Sequence, residues 1–230
     1  MRQLPLPVRL RPSSVFASFV AGANEHVVKT LQQHQFGTSP VVFIYGSHAT
    51  GKTHLLQALC AQAGVQQLAA SYLPVNELLA YGPELLAGSA QLNMLCIDDA
   101  DALLGDAVWN RALFNVYREL EEHQGKLIMT AAQPAATYGM PLADFASRLL
   151  AGTVLRLQPL DEEQQRRALQ LHAAQRGLEL PDDALNYLLR RLPRDMTTLC
   201  AFLDELDIAS LAAQRKVTVP FIKQVLDSKQ

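Results

Sequence analysis

Residues 41–53 read Val-Val-Phe-Ile-Tyr-Gly-Ser-His-Ala-Thr-Gly-Lys-Thr, and this run constrains the chain more than any other. Its first half is an unbroken block of β-formers ending at Gly46, the pattern of a strand buried on both faces. Gly46, Ser47, His48, Ala49, Thr50, Gly51, Lys52 and Thr53 then match GxxxxGK[ST] at every fixed position. Helical spacing follows from Lys52 to Ala63. A strand that turns through glycines into a helix belongs to a βαβ unit, which calls for a parallel sheet with helices packed on it. The same residues dictate chemistry. Glycines let backbone N–H groups turn inward around phosphate oxygens, and the helix N-terminus adds its dipole. Lys52 brings charge to the β- and γ-phosphates, and Thr53 offers a hydroxyl to Mg²⁺. By average composition, a chance match in a chain of this length is on the order of one per cent.

The rest of the first two-thirds supplies the partners for that strand. Residues 1–14 read as an extended tail without helical period, followed by a helix over 24–33 with Asn24 as its candidate N-cap. Strands are predicted at 71–74, 92–97, 126–130 and 153–157, with a helical or irregular stretch over 74–86. An amphipathic helix over 107–124 is stopped by Gly125. After Pro159 the pattern changes: residues 161–177, 182–192, 195–213 and 220–227 all read as helices, punctuated by Gly177, Pro181, Pro193 and Pro220. The prediction is an α/β fold, a P-loop αβα parallel sheet over 15–158, then a small all-α lid over 159–230. No internal repeat is visible.

Bulk properties exclude some classes. The 230 residues suffice for one nucleotide-binding domain and a small companion. A net charge of −2 argues against a dedicated DNA-binding surface. Cys60, Cys96 and Cys200 are odd in number and far apart, so they read as reduced core residues of a cytosolic protein. No apolar run approaches a membrane span, and prolines and arginines interrupt the N-terminus where a signal peptide needs an apolar block.

Five further features bear on chemistry. Asp98 and Asp99 close the apolar strand 92–97, the Walker B position. There Asp98 holds Mg²⁺ through water and Asp99 can polarise an attacking water. The six histidines show no metal-binding spacing and read as solvated or packed side chains. Trp109, Phe114 and Tyr117 recur at helical spacing and read as core rather than as a base-stacking platform. Arg148 lies between the last two strands, where residues alone read it as a solvated charge. The stretch Gln3-Leu4-Pro5-Leu6-Pro7 has alternate apolar anchors that suit docking in a groove, the bland alternative being an unimportant end.

Taken together, the Walker A and B motifs followed by a helical lid resemble the AAA+ family. Phe16-x-x-Phe19-Val20-x-Gly22-x-Asn24 resembles the entry segment of the replication initiator DnaA, which packs near the adenine, and the Asp-Asp Walker B is DnaA-like. Leu157-Gln158-Pro159-Leu160 and Gln214-Arg215-Lys216 resemble the Hda family of short DnaA homologues, which inactivate DnaA after initiation. The resemblance covers nearly the whole chain. It implies that Gln3, Leu4, Leu6 and Pro7 bind the β sliding clamp of DNA polymerase III, Gln3 in a polar pocket and the leucines in an apolar groove. It implies that Arg148 is an arginine finger completing a neighbour's ATP site in trans. It implies a nucleotide site made of Gly46 through Thr53, His54, Val20 and a lid arginine, with ADP or another nucleoside diphosphate or triphosphate, and Mg²⁺ on Thr53 and Asp98.

The chain departs from that family in two places. DnaA-like proteins carry an aspartate where this one has Ala132, and Thr130 is the nearest polar substitute. The lid arginine expected beside the phosphates falls on Thr197, with Arg194 three residues earlier as a stand-in one helical turn away. Both departures weaken contact with a γ-phosphate and fit stable binding of a diphosphate. The DNA-binding domain of DnaA is not present in these 230 residues. The expected function is therefore a cytoplasmic, nucleotide-bound adaptor. It joins DnaA to the DNA-loaded clamp and triggers hydrolysis of DnaA-bound ATP, touching DNA only through the clamp. Self-association is left open. The alternatives are an autonomous AAA+ ATPase or helicase loader, and a small-molecule P-loop kinase.

Overall fold

The computed structural model describes residues 10–11, 13–34 and 38–228. Gln3, Leu4, Leu6 and Pro7 lie outside the described residues. The chain enters through two 3-10 turns, Phe16–Ser18 and Gly22–Asn24, and then forms α1 (Glu25–Gln32). β1 (Val41–Tyr45) leads through the glycine loop into α2 (Lys52–Val65). β2 (Ala70–Pro74) and α3 (Val75–Tyr81) follow, then β3 (Met94–Asp98), the short α4 (Asp101–Leu104) and α5 (Ala107–Glu122). β4 (Lys126–Ala131), α6 (Ala143–Ala151) and β5 (Thr153–Arg156) complete the sheet.

All five strands are parallel, in the order β2-β3-β4-β1-β5. The central strand pairs are in register from Val41 beside Leu127 and from Met94 beside Lys126. Side chains alternate along each strand. Val41, Phe43, Leu95, Ile97, Leu127 and Met129 face one helical layer, where they meet Leu78, Leu113 and Phe145. Val42, Ile44, Met94, Cys96, Ile128 and Leu155 face the other, where they meet Leu31, Leu55 and Leu59. Burial on both faces is why these strands read as unbroken apolar runs. Trp109 and Tyr117 belong to the first of these cores, with Phe114 packed partly buried against it and stacked on Tyr117.

The lid consists of α7 (Glu162–Gln175), α8 (Asp182–Arg191), α9 (Met196–Ala213) and α10 (Val219–Asp227) around their own core, which includes Leu169, Leu185, Leu203 and Ile222. Asp161 accepts from the N–H of Gln164, whose side chain reaches back to the Asp161 N–H, so α7 starts on a reciprocal cap. Among the described residues no helix is long and apolar enough to cross a membrane.

Three local expectations are corrected. Asn24 occupies the position before α1 but makes no cap with its side chain. That amide instead donates to Gln158 O at 2.9 Å and accepts from Gln158 N–H at 2.7 Å. The residue that turns the chain after α5 is Gln124, at φ +59°, and not Gly125. Gly125 is needed for space, since a Cβ there would lie 2.5 Å from Leu92 O. Cys200 is not a core residue: Cys60 and Cys96 are buried in the sheet layer, whereas Cys200 is half-buried on the wall of a pocket between sheet and lid.

Candidate functional site

The glycine loop is fixed from both sides. Gly46 N–H donates to Ala131 O at 3.2 Å, tying the loop to the end of β4. No side chain fits at Gly46, because a Cβ would come within 2.7 Å of Leu157 O. Ala49 (φ +60°) and Gly51 (φ +93°) are left-handed, which reverses the direction of successive N–H groups. Lys52 is buried at the start of α2 and bends back, donating to Gly46 O at 2.9 Å and Ser47 O at 3.2 Å. Thr50 Oγ1 also donates to Ser47 O, so the loop holds its own shape.

β3 delivers the acidic pair beside it. Asp98 is 3% exposed. Tyr72 OH donates to its Oδ2 at 2.7 Å and Thr130 Oγ1 to its Oδ1 at 2.6 Å. Burial and the Asp98 charge push the Tyr72 phenol well above its usual range. Asp99 (φ +56°) turns out toward the loop, and its N–H donates to Thr130 Oγ1 at 2.8 Å. Burial and then Asp98 raise the Asp99 carboxyl above its ordinary value, against the opposing charge of Lys52.

Thr130 therefore does not take the place of the aspartate missing at Ala132. Its hydroxyl gives its proton to Asp98 and accepts from Asp99, and the residue is fully buried. Ala132 has only its N–H engaged, donating to Asp101 Oδ1 at 2.9 Å. The same oxygen takes the Tyr138 hydroxyl, which burial and Asp101 push up to about 12. Tyr138 in turn accepts from Gln133 N–H. Asp101 and Tyr138 were silent in the sequence, yet they set the backbone after β4.

A cavity of about 300 Å³ opens between the loop and the lid. His48 to His54 form its floor, with Asp99 beside them. The entry segment supplies a second wall that includes Phe19 and Val20, and Leu160 with the lid supplies the third. Gly46 and Ser47 do not line the cavity. His54 Nε2 is 2.9 Å from Val15 O and 3.3 Å from Ser18 Oγ, and its ring meets Phe19 and His172 edge-on. His54 thus pins the entry segment; its pKa is lowered by burial, partly opposed by the Val15 carbonyl.

The lid brings Met196 and Thr197 to the cavity, but not Arg194. Arg194 Nη1 lies 3.0 Å from Glu162 Oε2 with half its side chain in solvent. One turn of helix separates it from Thr197 in sequence, but Arg194 precedes α9 and faces the start of α7. Three titratable lid residues that sequence reading did not assign to the site also line the cavity: His172, Arg176 and Cys200. Burial and the neighbouring His54 and Arg176 take His172 down to about 4, and burial takes Cys200 up to about 11.

Thr53 and Asp99 offer hard oxygen ligands to this cavity, with the Asp98 carboxylate behind them. Among the described residues no cluster of three His, Cys, Asp or Glu could hold a metal by itself. Mg²⁺ bound beside a nucleotide keeps several waters and is held by one or two protein oxygens plus substrate phosphates. Each Asp98 oxygen already accepts one hydrogen bond, from Tyr72 or Thr130, and keeps a second lone pair.

Arg148 sits in the last turn of α6, exposed and outside this cavity. It lies near Tyr117, whose hydroxyl donates to Glu121 and whose pKa is raised by burial and Glu121 against the pull of Arg148.

A parallel sheet of this strand order, a GxxxxGK[ST] loop, a Walker B pair and a four-helix lid define an AAA+ fold. Domain III of the Thermotoga maritima replication initiation protein DnaA superposes with a TM-score of 0.80 at 21% identity, over 96% of this chain and 98% of that one. AMPPCP-bound DnaA from Aquifex aeolicus matches at 0.68 and 22% identity, covering 89% of this chain and 68% of that one. The Thermotoga maritima RuvB Holliday junction branch migration motor matches at 0.62 and 14% identity, over 93% and 73% of the two chains. Residues 161–226 match the family model described as the lid domain of Hda. The chain thus has the AAA+ fold seen in DnaA domain III, and its lid is similar to that of Hda.

Proposed function

We propose that this protein is a nucleotide-held adaptor that acts on a neighbouring ATPase and not chiefly through its own turnover. ADP or a related nucleotide bridges loop and lid, with Mg²⁺ on Thr53 and, through water, Asp98. The P-loop amides and Lys52 bind the phosphates. The observation that carries the reading is the division of labour between two sites. At the chain's own loop, Thr130 is spent on Asp98 and Asp99, Ala132 offers only backbone, and Arg194 is turned to Glu162. Arg148, by contrast, stands exposed on α6, outside the chain's own cavity. A cation so placed suits a partner's nucleotide, where an arginine supplied in trans stabilises transition-state charge.

On the Hda-like lid and the DnaA-like fold, the partner is DnaA. The segment Gln3–Pro7 docks the β sliding clamp on DNA, so that ATP hydrolysis in DnaA follows replication. The protein then acts in the cytoplasm as an inhibitor of further initiation. The test is hydrolysis of DnaA-bound ATP with clamp loaded on DNA. Wild type stimulates it; Arg148→Ala and Gln3→Ala do not. Full stimulation by Arg148→Ala sinks the mechanism. Rapid ATP turnover by the purified protein alone, abolished by Lys52→Ala, would favour the autonomous ATPase instead.

A further inference from the structure

The lid's wall of the cavity has a direction. α9 starts at the loop end, where Asp195 is close enough to His48 to feel its charge. Thr197 and then Cys200 line the wall. Asp204 follows, about 12 Å along the axis from Met196 at 1.5 Å per residue. There it holds Arg176: Nε and Nη2 lie 2.8 and 2.6 Å from Asp204 Oδ1, and Nη1 donates to His172 O at 2.8 Å. The side chain is only 12% exposed, yet it lines the cavity. A guanidinium has five N–H groups, and these contacts take three. Two remain, on a planar group whose orientation is already fixed. The same corner holds His172, whose Nδ1 is buried without a hydrogen-bond partner, and Arg11, whose charge reaches Cys200.

If phosphates occupy the Gly46–Thr53 end, the length of a nucleoside diphosphate carries its base to this far corner. We propose that Arg176 reads the nucleobase, donating its two remaining N–H groups to acceptor atoms on the base edge. The inference rests on the nucleotide-binding reading above. It assigns Arg176 to the base and not to phosphate because Asp204 already neutralises it and fixes its plane. What is left is a pair of oriented donors rather than a mobile point charge.

Calorimetric titration of the full chain with ADP, GDP, CDP, UDP and pyrophosphate tests this. Wild type should rank the four nucleotides over a spread of about tenfold or more, as expected for hydrogen bonds from a charged donor. In Arg176→Met the spread should collapse to about threefold, with pyrophosphate affinity unchanged. Arg176→Lys keeps the pairing with Asp204 but loses the planar fork, so it should lose the ranking while melting like wild type. An equal loss for all four nucleotides overturns the proposal, since a merely structural role predicts that. A parallel loss for pyrophosphate, or an unaltered ranking, overturns it too. A wild-type chain that binds pyrophosphate but no nucleotide preferentially overturns the base contact alone. One that binds none of the five removes the nucleotide reading and the inference with it.

Discussion

Gly51 is held at φ +93° with the Phe19 ring 2.5 Å from where a Cβ would stand. Gly51→Ala thus faces both a left-handed backbone and a ring that packs beneath His54. We expect it to cost about 1–3 kcal/mol, or several degrees of melting temperature at ~2–4 °C per kcal/mol. Scanning calorimetry measures this directly; an unchanged melt would mean the entry segment gives way freely. Lys52 is different, since its ammonium rests on carbonyls of the loop itself. Lys52→Ala should weaken ADP binding by about 10–100-fold, the loss of charge-assisted hydrogen bonds, while the chain stays folded. His172 adds a pH dependence. Its pKa falls from 6.5 to about 4 on folding, so the folded state refuses a proton that the unfolded chain accepts. Its contribution is complete above about pH 6.5 and is lost as pH falls towards 4. Melting temperature should therefore fall more steeply over that window in wild type than in His172→Gln.

Among the elements, α6 separates fold from function. Phe145 and Leu149 are buried against the sheet, while Arg148 on the same helix stays exposed, close to Tyr117. Arg148→Ala should shift stability by less than about 0.5 kcal/mol, as an exposed change does, yet cut DnaA-ATP hydrolysis by about 10³-fold or more. A melting curve paired with the clamp-dependent assay separates the two effects. α6 also marks where sequence reading stops. β1, β3 and β4 were legible as apolar blocks closed by a polar or turn residue, and β2 and β5 as shorter runs of β-formers. α4 was not, since a four-residue helix leaves too few turns to establish a period, nor was α6, whose N-cap position is Leu142 and carries no capping signal. The loop and the acidic pair were legible because their spacing is covalent. His172, Arg176 and Cys200 were not, because they become neighbours only when α7 packs on α9. In isolation α7 reads as a polar helix with a narrow apolar stripe. Thr130 shows the converse: it was visible as a polar residue in the right place, but only the fold reveals that both functions of its hydroxyl are taken.

At the scale of the whole molecule, the cavity is shared by base, entry segment and lid, so an occupant touches all three. A ligand at 100 times its dissociation constant stabilises by about 2.7 kcal/mol. Saturating ADP should raise the melting temperature by about 5–11 °C at ~2–4 °C per kcal/mol. If base and lid instead melt in separate steps with ADP moving only one, they are not bridged. The Asn24–Gln158 pair has a mechanical corollary. One asparagine amide grips the backbone just after β5 with a donor and an acceptor, much as an adjacent strand would. Gln158 leads directly into the lid, and Gly22, two residues before Asn24, sits against Gln164 in the first turn of α7. The entry segment is therefore tethered at the axle of the molecule and not at its rim. Tension applied to the entry segment would be borne by the joint between sheet and lid.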